Sequence, residues 1–367
     1  MSYSPSAVHA GLLLLAPVIS GFLSLALVRP ARRFGLLDHP TGRKAHEQVT
    51  PLVGGLAIFL AFVGLNALAG GVPGQSLSLL AAMVVTVVIG VLDDAHEIGY
   101  RSKFFAQISA ALLLVSGTAV HMTHFGNLLG LGEIELGKWT VLVTVVSIIG
   151  VMNATNMIDG ADGLAGSVLL APMLAFALVA ASAGDSRVAF ELLLLASVTA
   201  GFLCFNLRTR WLPRAVVFLG DAGGLVLGLL LAWYSMVLSG RPGAPLHPIA
   251  AVWIMAVPLL DMGSVMLLRM SQRKSPFFGD RQHMHYLLLD GGYSVNQMVA
   301  LLTTASAGLG LVALLAREAA VPEVVLLATF LGLWAGWLVA LARPRLTLRL
   351  LSKLIAPANG APAPEKA

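Results

Sequence analysis

The sequence predicts an all-α protein that crosses a membrane several times. Apolar residues make up 57% of the chain and charged residues only 11%, whereas soluble domains carry about 25% charged residues. The mean hydropathy of +0.86 agrees with this composition. Apolar runs also recur along most of the chain at the length of about 20 residues that a helix needs to span a bilayer. Composition and run length together exclude a soluble globular domain.

The apolar runs predict about eleven transmembrane helices, with ten as the alternative because some runs are short or rich in glycine. They cover roughly residues 8–28, 52–70, 77–92, 105–121, 139–157, 164–183, 187–206, 216–238, 246–268, 297–316 and 322–342. The first run lacks a preceding basic region, so we interpret it as a retained span rather than a signal peptide. We expect residues 1–355 to form one multi-span domain and residues 356–367, rich in Pro and Ala, to be a disordered tail.

Basic residues indicate the orientation. With eleven spans, nearly all of the 23 Lys and Arg fall on one side of the membrane, and Lys138, Arg187, Arg241 and Arg317 fall on the other. Because cytoplasmic loops are enriched in Lys and Arg, we expect the N-terminus outside and the C-terminus in the cytoplasm. If the chain had one span fewer, the later basic clusters would fall on both sides of the membrane. We interpret the last cluster, in residues 343–353, as contacts with anionic lipids.

A polar stretch, NATNMIDGADGLAG, interrupts the apolar sequence at residues 153–166. Its side chains recur at every third position, at Asn153, Asn156, Asp159 and Asp162. One continuous helix would rotate these groups by about 60° at each step and place the first and last on opposite faces. We therefore expect the helix to end near Asp159, with a turn at Gly160 and Gly163, so that all four groups converge at the cytoplasmic surface.

Further carboxylates stand at predicted span ends on the same side. Asp93 and Asp94 end the third span, and Asp221 begins the eighth. Adjacent carboxylates repel each other, and a divalent metal would relieve that repulsion. Each feature also has a simpler interpretation. The Asp pair can face water, Asp221 can be a helix N-cap, and the glycines near it can form a packing face.

Two cytoplasmic loops add cations and imidazoles. The loop that follows the ninth span holds Arg281, His283 and His285, and the first loop holds Lys44 and His46. His283 and His285 point the same way only on an extended strand. Two histidines without a cysteine are a weak zinc signal, so we favour binding of a phosphorylated anion. The alternatives are side chains that line the bilayer surface and, for the first loop, an ordinary basic turn.

Carboxylate and amide oxygens are ligands suited to Mg²⁺, which binds one or two carboxylates together with substrate phosphates. Mn²⁺ is the alternative ion. Nearby Arg, Lys and His side chains would bind the anion. The expected substrate is thus a Mg²⁺-bound diphosphate from the cytosol, with a lipid as its partner in the bilayer. We expect no nucleic acid partner.

Five motifs occur in a fixed order: DHPTGRKAH, GVLDD with RSKF, NATNMIDGADGLAG, FLGDAGG and SPFFGDRQHMH. Together they resemble the polyprenyl-phosphate N-acetylhexosamine 1-phosphate transferase superfamily, and most closely its bacterial undecaprenyl-phosphate N-acetylglucosaminyl branch. The resemblance extends over about residues 35–290. It implies an enzyme of the bacterial cytoplasmic membrane that transfers N-acetylglucosamine 1-phosphate from a UDP-sugar to undecaprenyl phosphate and releases UMP. The product would initiate a cell-envelope polysaccharide, such as an O-antigen or a teichoic acid.

The resemblance also implies roles for individual residues. Asp221 would be the principal Mg²⁺ ligand, and Asp93 or Asp94 would contact the metal or accept a proton. The expected site residues are Asp93, Asp94, Asp159, Asp162 and His283 for catalysis; Lys44, His46, Lys103, Asn153, Asn156, Arg281 and His285 for substrate binding; and Asp221 and Asp94 for the metal. We hypothesise direct displacement, because the lipid phosphate is already an anionic nucleophile.

Several alternatives stay open. Ala222 follows FLGD where the family often has Ser, and Tyr286 follows the last histidine as in the phospho-MurNAc-pentapeptide branch. UDP-MurNAc-pentapeptide or another UDP-N-acetylhexosamine therefore remains an alternative donor. A secondary transporter for an anion is the alternative of another class, but it would need polar groups near the membrane midplane in related halves. The sequence is compatible with a homodimer.

Overall fold

The computed structural model describes residues 7–39, 49–277 and 279–358. The helices in these ranges are α1 Ala7–Ala26, α2 Val28–Phe34, α3 Gly54–Leu68, α4 Leu77–His96, α5 Tyr100–Gly117, α6 Thr140–Met157, α7 Leu164–Ser182, α8 Ser186–Asn206, α9 Gly220–Ser239, α10 Pro248–Ile254, α11 Ala256–Ser271, α12 Met284–Asp290, α13 Val295–Glu318, α14 Glu323–Ala342 and α15 Pro344–Leu351. A short antiparallel pair of strands joins β1, Leu37–Asp38, to β2, Thr50–Pro51.

Each predicted span overlaps a helix or a helix pair. Over the described ranges, eight helices are long and apolar enough to cross a membrane, or nine if the bent pair α10 and α11 forms one span. Helix α3 is apolar but only 15 residues long, and α5 does not belong to the eight. The protein is thus an all-α, multi-pass membrane protein. The full count of eleven and the orientation stay predictions.

Helix α9 lies at the centre of the bundle, and most of its residues are buried. Small residues let its neighbours approach closely. A Cβ added to Gly55 in α3 would lie 2.1 Å from the Gly223 nitrogen, and one added to Gly90 in α4 would lie 2.3 Å from the Ala222 Cα atom. The predicted glycine packing face is therefore present, since Gly228 likewise packs against α6. Close packing holds the ends of α3, α4, α6 and α9 together.

A sharp bend separates α10 from α11. The two helices form an angle of 86°, and the break falls at Met255. After the bend, α11 runs toward the end of the bundle that contains the N-terminus of α9, and it carries the buried Asp261 and Arg269. The chain then forms the short helix α12, whose N-cap is His283. The bend therefore determines which groups α11 presents beside that histidine.

Candidate active site

The predicted carboxylates meet at one end of the bundle. Asp93 and Asp94 lie near the end of α4, Asp221 lies in the first turn of α9, and Asp159 and Asp162 lie between α6 and α7. Together with Asp38 after α2, they line one cavity of about 420 Å³. The sequence prediction that these separate motifs form one site is consistent with this geometry.

Asp94 caps the N-terminus of α9. Its Oδ1 accepts a hydrogen bond from the Asp221 backbone N–H at 2.9 Å, and its Oδ2 accepts one from the Ala222 backbone N–H at 3.3 Å. The first N–H groups of a helix have no intrahelical partner, so a carboxylate there is stabilising. The cap that the sequence suggested for Asp221 is thus supplied by another helix, and Asp94 positions Asp221.

Lys103 lies between two carboxylates. Its Nζ atom is 2.8 Å from Asp93 Oδ2 and also forms an ion pair with Asp221. All three side chains are largely shielded from solvent. A single ammonium group therefore faces two carboxylates, with the charge of Asp94 nearby. The cluster brings three carboxyl groups to one ammonium group, so a divalent cation bound there would favour their ionised forms.

The connection between α6 and α7 follows the prediction from spacing. Helix α6 ends at Met157, and Gly163 adopts a left-handed conformation with φ of +77°, which glycine adopts without strain. Asn206 Oδ1 accepts a hydrogen bond from the Gly163 N–H at 2.8 Å. The buried Asp162 accepts hydrogen bonds from Arg208 Nε at 2.6 Å and from the Ala215 N–H at 3.2 Å. Asp162 therefore fastens this loop.

Burial, together with the carboxylates of Asp221, Asp162 and Asp38, raises the pKa of Asp159 to about 7. Among the described residues, Asp159 has no Arg or Lys neighbour comparable to Arg208 beside Asp162. At neutral pH its carboxyl is therefore close to half protonated. A cation bound among these carboxylates would favour its ionised form.

Asn153 does not join the other three polar groups, so the expected convergence of all four on one point is wrong. Its Nδ2 donates to Gln107 Oε1 at 2.8 Å and to the Ile149 carbonyl oxygen at 2.8 Å. Asn153 lines a second cavity, whereas Asp159 and Asp162 line the first and Asn156 lines both. The physical reason is that Asn153 lies about one helical turn before Asn156 and faces α5.

The second cavity has a volume of about 700 Å³ and a more apolar wall. Phe104 and Phe105 from α5, together with Phe277, contribute aromatic side chains to it, and Lys103 also lines it. The polar cavity and this aromatic cavity share Asp93, Glu97 and Asn156. The shared wall allows one group to contact ligands in both cavities.

His283 and His285 differ in backbone conformation and in the residues that they contact. His283 is extended and lies at the N-cap of α12, whereas His285 is helical. Their rings nonetheless stack, with centroids 5.5 Å apart. His283 Nδ1 lies 2.7 Å from Asp261 Oδ2, and its Nε2 lies 3.4 Å from Arg269 Nη2. His283 lines the aromatic cavity, so Asp261 fixes the direction in which its ring points.

His285 is buried against Gly160, and within the described part of the chain neither of its ring nitrogens has a hydrogen-bond partner. Burial lowers the pKa of His285 to about 4. The imidazole is therefore neutral at pH 7. A neutral ring that packs on the loop between α6 and α7 supports that loop and does not provide a cation for phosphate.

Arg269 and Asp280 form a buried pair beside His283. Arg269 Nη2 donates to Asp280 Oδ1 at 2.9 Å, and its Nη1 donates to the Pro276 carbonyl oxygen at 2.8 Å. Burial alone would raise the pKa of Asp280, but the Arg269 guanidinium outweighs it and lowers that pKa below its ordinary value. Arg269 lines the aromatic cavity, so it places a cation there.

Sequence reasoning missed Asp261, Arg269, Gln107 and Arg208 as site residues. Asp261 lies inside an apolar run, and an ionisable residue at such a position is itself a signal of function. Arg208 and Arg269 were counted only as members of basic clusters. Gln107 lies at the start of the apolar part of α5, one helical turn after Lys103 of the RSKF motif. Position in an apolar run was thus the available signal for Asp261, and distance from that motif was the available signal for Gln107.

Of the expected substrate-binding residues, Arg281 lies outside the site, and two others fall in a part of the chain that the structure does not describe. Arg281 lies outside the lining of both cavities; it pairs with the exposed Asp290 at 2.8 Å and lies 4.4 Å from the ring centroid of Tyr286, which does line the polar cavity. Lys44 and His46 lie outside the described residues. Asp38 and His39, which precede them in the chain, line the polar cavity.

A metal site is not preassembled. Among the described residues, no group of three or more His, Cys, Asp or Glu is arranged to hold a metal ion. The donors nevertheless fit a hard cation, because Asp93 and Asp221 already hold one ammonium group between them and Asn156 adjoins Asp221. Two carboxylates with further ligands from a phosphate and water are typical of Mg²⁺.

Comparison with known proteins identifies the family. Residues 76–239 match glycosyl transferase family 4. The chain is 31% identical to the undecaprenyl-phosphate alpha-N-acetylglucosaminyl 1-phosphate transferase of Yersinia pestis, over 82% of each chain. The chain belongs to this family. The Escherichia coli K12 protein of the same name is also 31% identical over 82% of each chain, and that of Haemophilus influenzae is 30% identical over 79% of this chain and 82% of its own. The predicted resemblance is thereby confirmed.

Proposed function

We propose that this protein transfers N-acetylglucosamine 1-phosphate from UDP-N-acetylglucosamine to undecaprenyl phosphate, which releases UMP and leaves a lipid diphosphate sugar. The observation that carries the proposal is the shared wall of two unlike cavities, at Asp93, Glu97 and Asn156. A transferase must bring a water-soluble donor and a lipid acceptor to one point. The names of the relatives support both substrates.

The donor would bind in the polar cavity. Arg208 lines it beside Asp162, and its guanidinium would bind a phosphate group of the donor. The acceptor would bind in the aromatic cavity, where Phe104, Phe105 and Phe277 would contact the prenyl chain and the cations Lys103 and Arg269 would contact its phosphate.

Mg²⁺ would be held by Asp221 with Asp93 beside it, and Mn²⁺ could replace it. When bound, the ion would neutralise negative charge on the diphosphate of the donor. Lys103 would then turn from the two carboxylates toward phosphate. Asp94 would keep Asp221 in place through its two bonds to the α9 backbone.

The transfer would proceed by direct displacement. An oxygen of the lipid phosphate forms a bond to the β-phosphorus of the donor, and the bond from that phosphorus to the bridging oxygen breaks. UMP leaves with that oxygen and the bonding electrons. A lipid phosphate that arrives with a proton passes it to Asp93, which lines both cavities. No covalent intermediate with the protein is required.

The number of membrane crossings and the orientation of the chain are part of the same proposal. Eleven crossings, with the N-terminus outside, place the carboxylate cluster at the cytoplasmic surface, where UDP-sugars are available. The membrane would be the bacterial cytoplasmic membrane, since the relatives are bacterial enzymes of lipid-linked sugars. An anion transporter is disfavoured, because the carboxylates of the polar cavity lie at helix ends at one end of the bundle, and the sequence shows no related halves.

The test is UMP release by purified protein with Mg²⁺, undecaprenyl phosphate and one UDP-sugar at a time. We expect release with UDP-N-acetylglucosamine and none when either substrate or the ion is left out. Release only with UDP-MurNAc-pentapeptide would assign the protein to the other donor. No release with any UDP-sugar, from protein that is folded by thermal melting, would overturn the proposal.

A further inference from the structure

Helix α15 follows directly on the last helix that is long and apolar enough to cross a membrane. The spanning helix α14 ends at Ala342, Arg343 breaks the helical path, and Pro344 begins α15. Because α13 begins next to α12 and α14 returns antiparallel to α13, α15 lies at the same end of the bundle as the candidate active site. Its position is therefore that of a helix in the headgroup region.

The surface of α15 combines cations with exposed leucines. Arg343, Arg345, Arg349 and Lys353 occur in or beside it, and the sequence has no acidic residue between Glu323 and Glu365. Leu346 and Leu350 are 45% and 54% exposed, and Leu354 is 83% exposed. Residues four apart share a helical face, so Leu346 and Leu350 lie on one exposed face of α15, with Arg345 and Arg349 along its flank and Leu354 in the turn that follows. This is the composition of a helix at a membrane surface.

The opposite side of α15 is fastened to the corner between α12 and α13. Leu348 packs on Gly291, where an added Cβ would lie 2.2 Å from Leu348 Cδ2. Tyr293 Oη donates to the Ile355 carbonyl oxygen at 2.9 Å. Gln297 Nε2 donates to the Ala356 carbonyl oxygen, and Gln297 Oε1 accepts from the Ala358 N–H, both at 2.9 Å. These contacts tie the segment after α14 to the start of α13.

The same corner forms a wall of the polar cavity. Tyr286 and Leu289 of α12 and Val295 of α13 line it, and His285 in the first turn of α12 packs on Gly160. A shift of α15 would therefore move the wall of the cavity proposed for the donor, whereas the carboxylates on α4 and α9 would stay in place.

We propose that α15 binds anionic phospholipid headgroups through its arginine and lysine side chains, with its exposed leucines in the apolar layer, and that this contact holds the corner between α12 and α13 in the position that binds the donor. The partner is an anionic lipid surface. Charge complementarity favours it, because α15 and its flanks carry cations alone. The inference rests on the proposed function and adds regulation by lipid composition to it.

The experiment compares the full-length protein in nanodiscs of phosphatidylcholine with nanodiscs that also contain phosphatidylglycerol. We expect phosphatidylglycerol to lower the KM for UDP-N-acetylglucosamine by roughly fivefold, about the factor that one cation contact with an anionic surface supplies. The triple variant R345Q/R349Q/K353Q should lose this response. The matched control, R29Q/R32Q/R33Q, removes three exposed cations from α2 at the same end of the bundle and should keep it.

A second variant tests whether the contact between α15 and the corner of α12 and α13 transmits the effect of lipid binding to the donor cavity. Tyr293→Phe removes the hydrogen bond to Ile355 without a change of charge, so its KM should respond less to phosphatidylglycerol. Hydrogen exchange of residues 284–297 supplies a readout that does not depend on turnover, and phosphatidylglycerol should slow it in the wild type. Equal exchange in both lipids, or an equal loss of the response in the α2 variant, would overturn the inference. Absence of UMP release in every lipid would instead overturn the proposed function. The hydrogen-exchange data would still decide whether anionic lipid acts through α15 on the corner between α12 and α13.

Discussion

Two clusters of ionised side chains lie at opposite ends of the bundle, and they differ in how their charge is balanced. At one end, Glu191 accepts hydrogen bonds from the Gly74 N–H at 3.0 Å, from Tyr234 Oη at 2.9 Å and from Arg187 Nε at 2.9 Å. At the other end, Asp93 and Asp221 share the single ammonium group of Lys103. In the first cluster every carboxylate oxygen has a donor, whereas the second gathers more carboxyl groups than one ammonium group can pair with.

The difference distinguishes a structural cluster from a site. A buried carboxylate with donors for both oxygens has no remaining capacity for a ligand and contributes to folding. Crowded carboxylates with too few cations are costly in the protein alone and become favourable when a cation binds. Helix α9 contributes to both ends, with Tyr234 at one and Asp221 at the other. Substitutions at the two ends should therefore have opposite effects on turnover and on stability.

The largest effect is expected for Asp221→Asn. Loss of the principal ligand should reduce the rate of UMP release by about 1,000-fold, comparable to removal of a group that stabilises transition-state charge, and should weaken the dependence on Mg²⁺. The thermal melting temperature should not fall, because repulsion among the carboxylates is reduced. Asp290→Asn, at an exposed carboxylate paired with Arg281, is the control and should keep nearly the full rate. An active Asp221→Asn enzyme would contradict the metal assignment.

Glu191→Gln tests whether the cluster around Glu191, at the other end of the bundle, contributes to stability alone. The amide keeps the shape but leaves Arg187 without its charged partner in a buried setting, so the free energy of unfolding should fall by about 3 kcal/mol. Chemical or thermal unfolding in detergent measures this loss. The KM values for both substrates should match the wild type at temperatures where the variant is folded. A change in KM with unchanged stability would mean that the two ends are not separate in function.

Asp162→Asn should have an intermediate effect, because Asp162 fastens the loop between α6 and α7 without a place in the reaction. We expect the KM for the donor to rise by about tenfold, which corresponds to the loss of one charge-assisted hydrogen bond. Arg208→Gln should produce a similar rise. Because Asp162 and Arg208 form one ion pair with each other, the double variant should be no worse than either single variant. Fully additive effects would show that each residue contacts the donor independently.

The last effect concerns the pH dependence of stability, through His285. Its pKa falls from the ordinary value of 6.5 to about 4 on folding, so the unfolded chain binds a proton in this window that the folded chain does not. Stability is therefore full above pH 6.5 and decreases as the pH falls toward 4. Between pH 7 and 5 the wild type should lose on the order of 2 kcal/mol more than His285→Phe, which keeps an aromatic ring and does not titrate. Equal pH profiles in thermal melting would argue that His285 is not buried.

Much of the fold was predictable because apolar runs of spanning length leave few alternatives in a bilayer. The end of α6 was predictable for a related reason: polar groups at every third position cannot share one helical face. The gathering of Asp93, Asp159 and Asp221 followed from their common position at span ends. These inferences need only local periodicity and the direction of each crossing.

Side-chain direction within the site was not predictable. Asn153 faces Gln107, which is 46 positions away in the chain, and Asp94 bonds to backbone groups of α9 more than 120 positions later. Such contacts depend on the rotation of each helix about its own axis. The motif spacing also gave no indication that Asp261 orients His283, because these residues lie on either side of a loop that the span count treats as a simple connection.

The common wall of the two cavities has a consequence for ligand design. A single molecule that carries a uridine group at one end and an aliphatic chain at the other could occupy both cavities across Asp93 and Asn156. Attachment of the second group becomes an intramolecular event once the first is bound, so the affinity of such a bivalent compound should exceed that of either fragment by orders of magnitude. Its inhibition should be competitive with the donor and with the lipid alike.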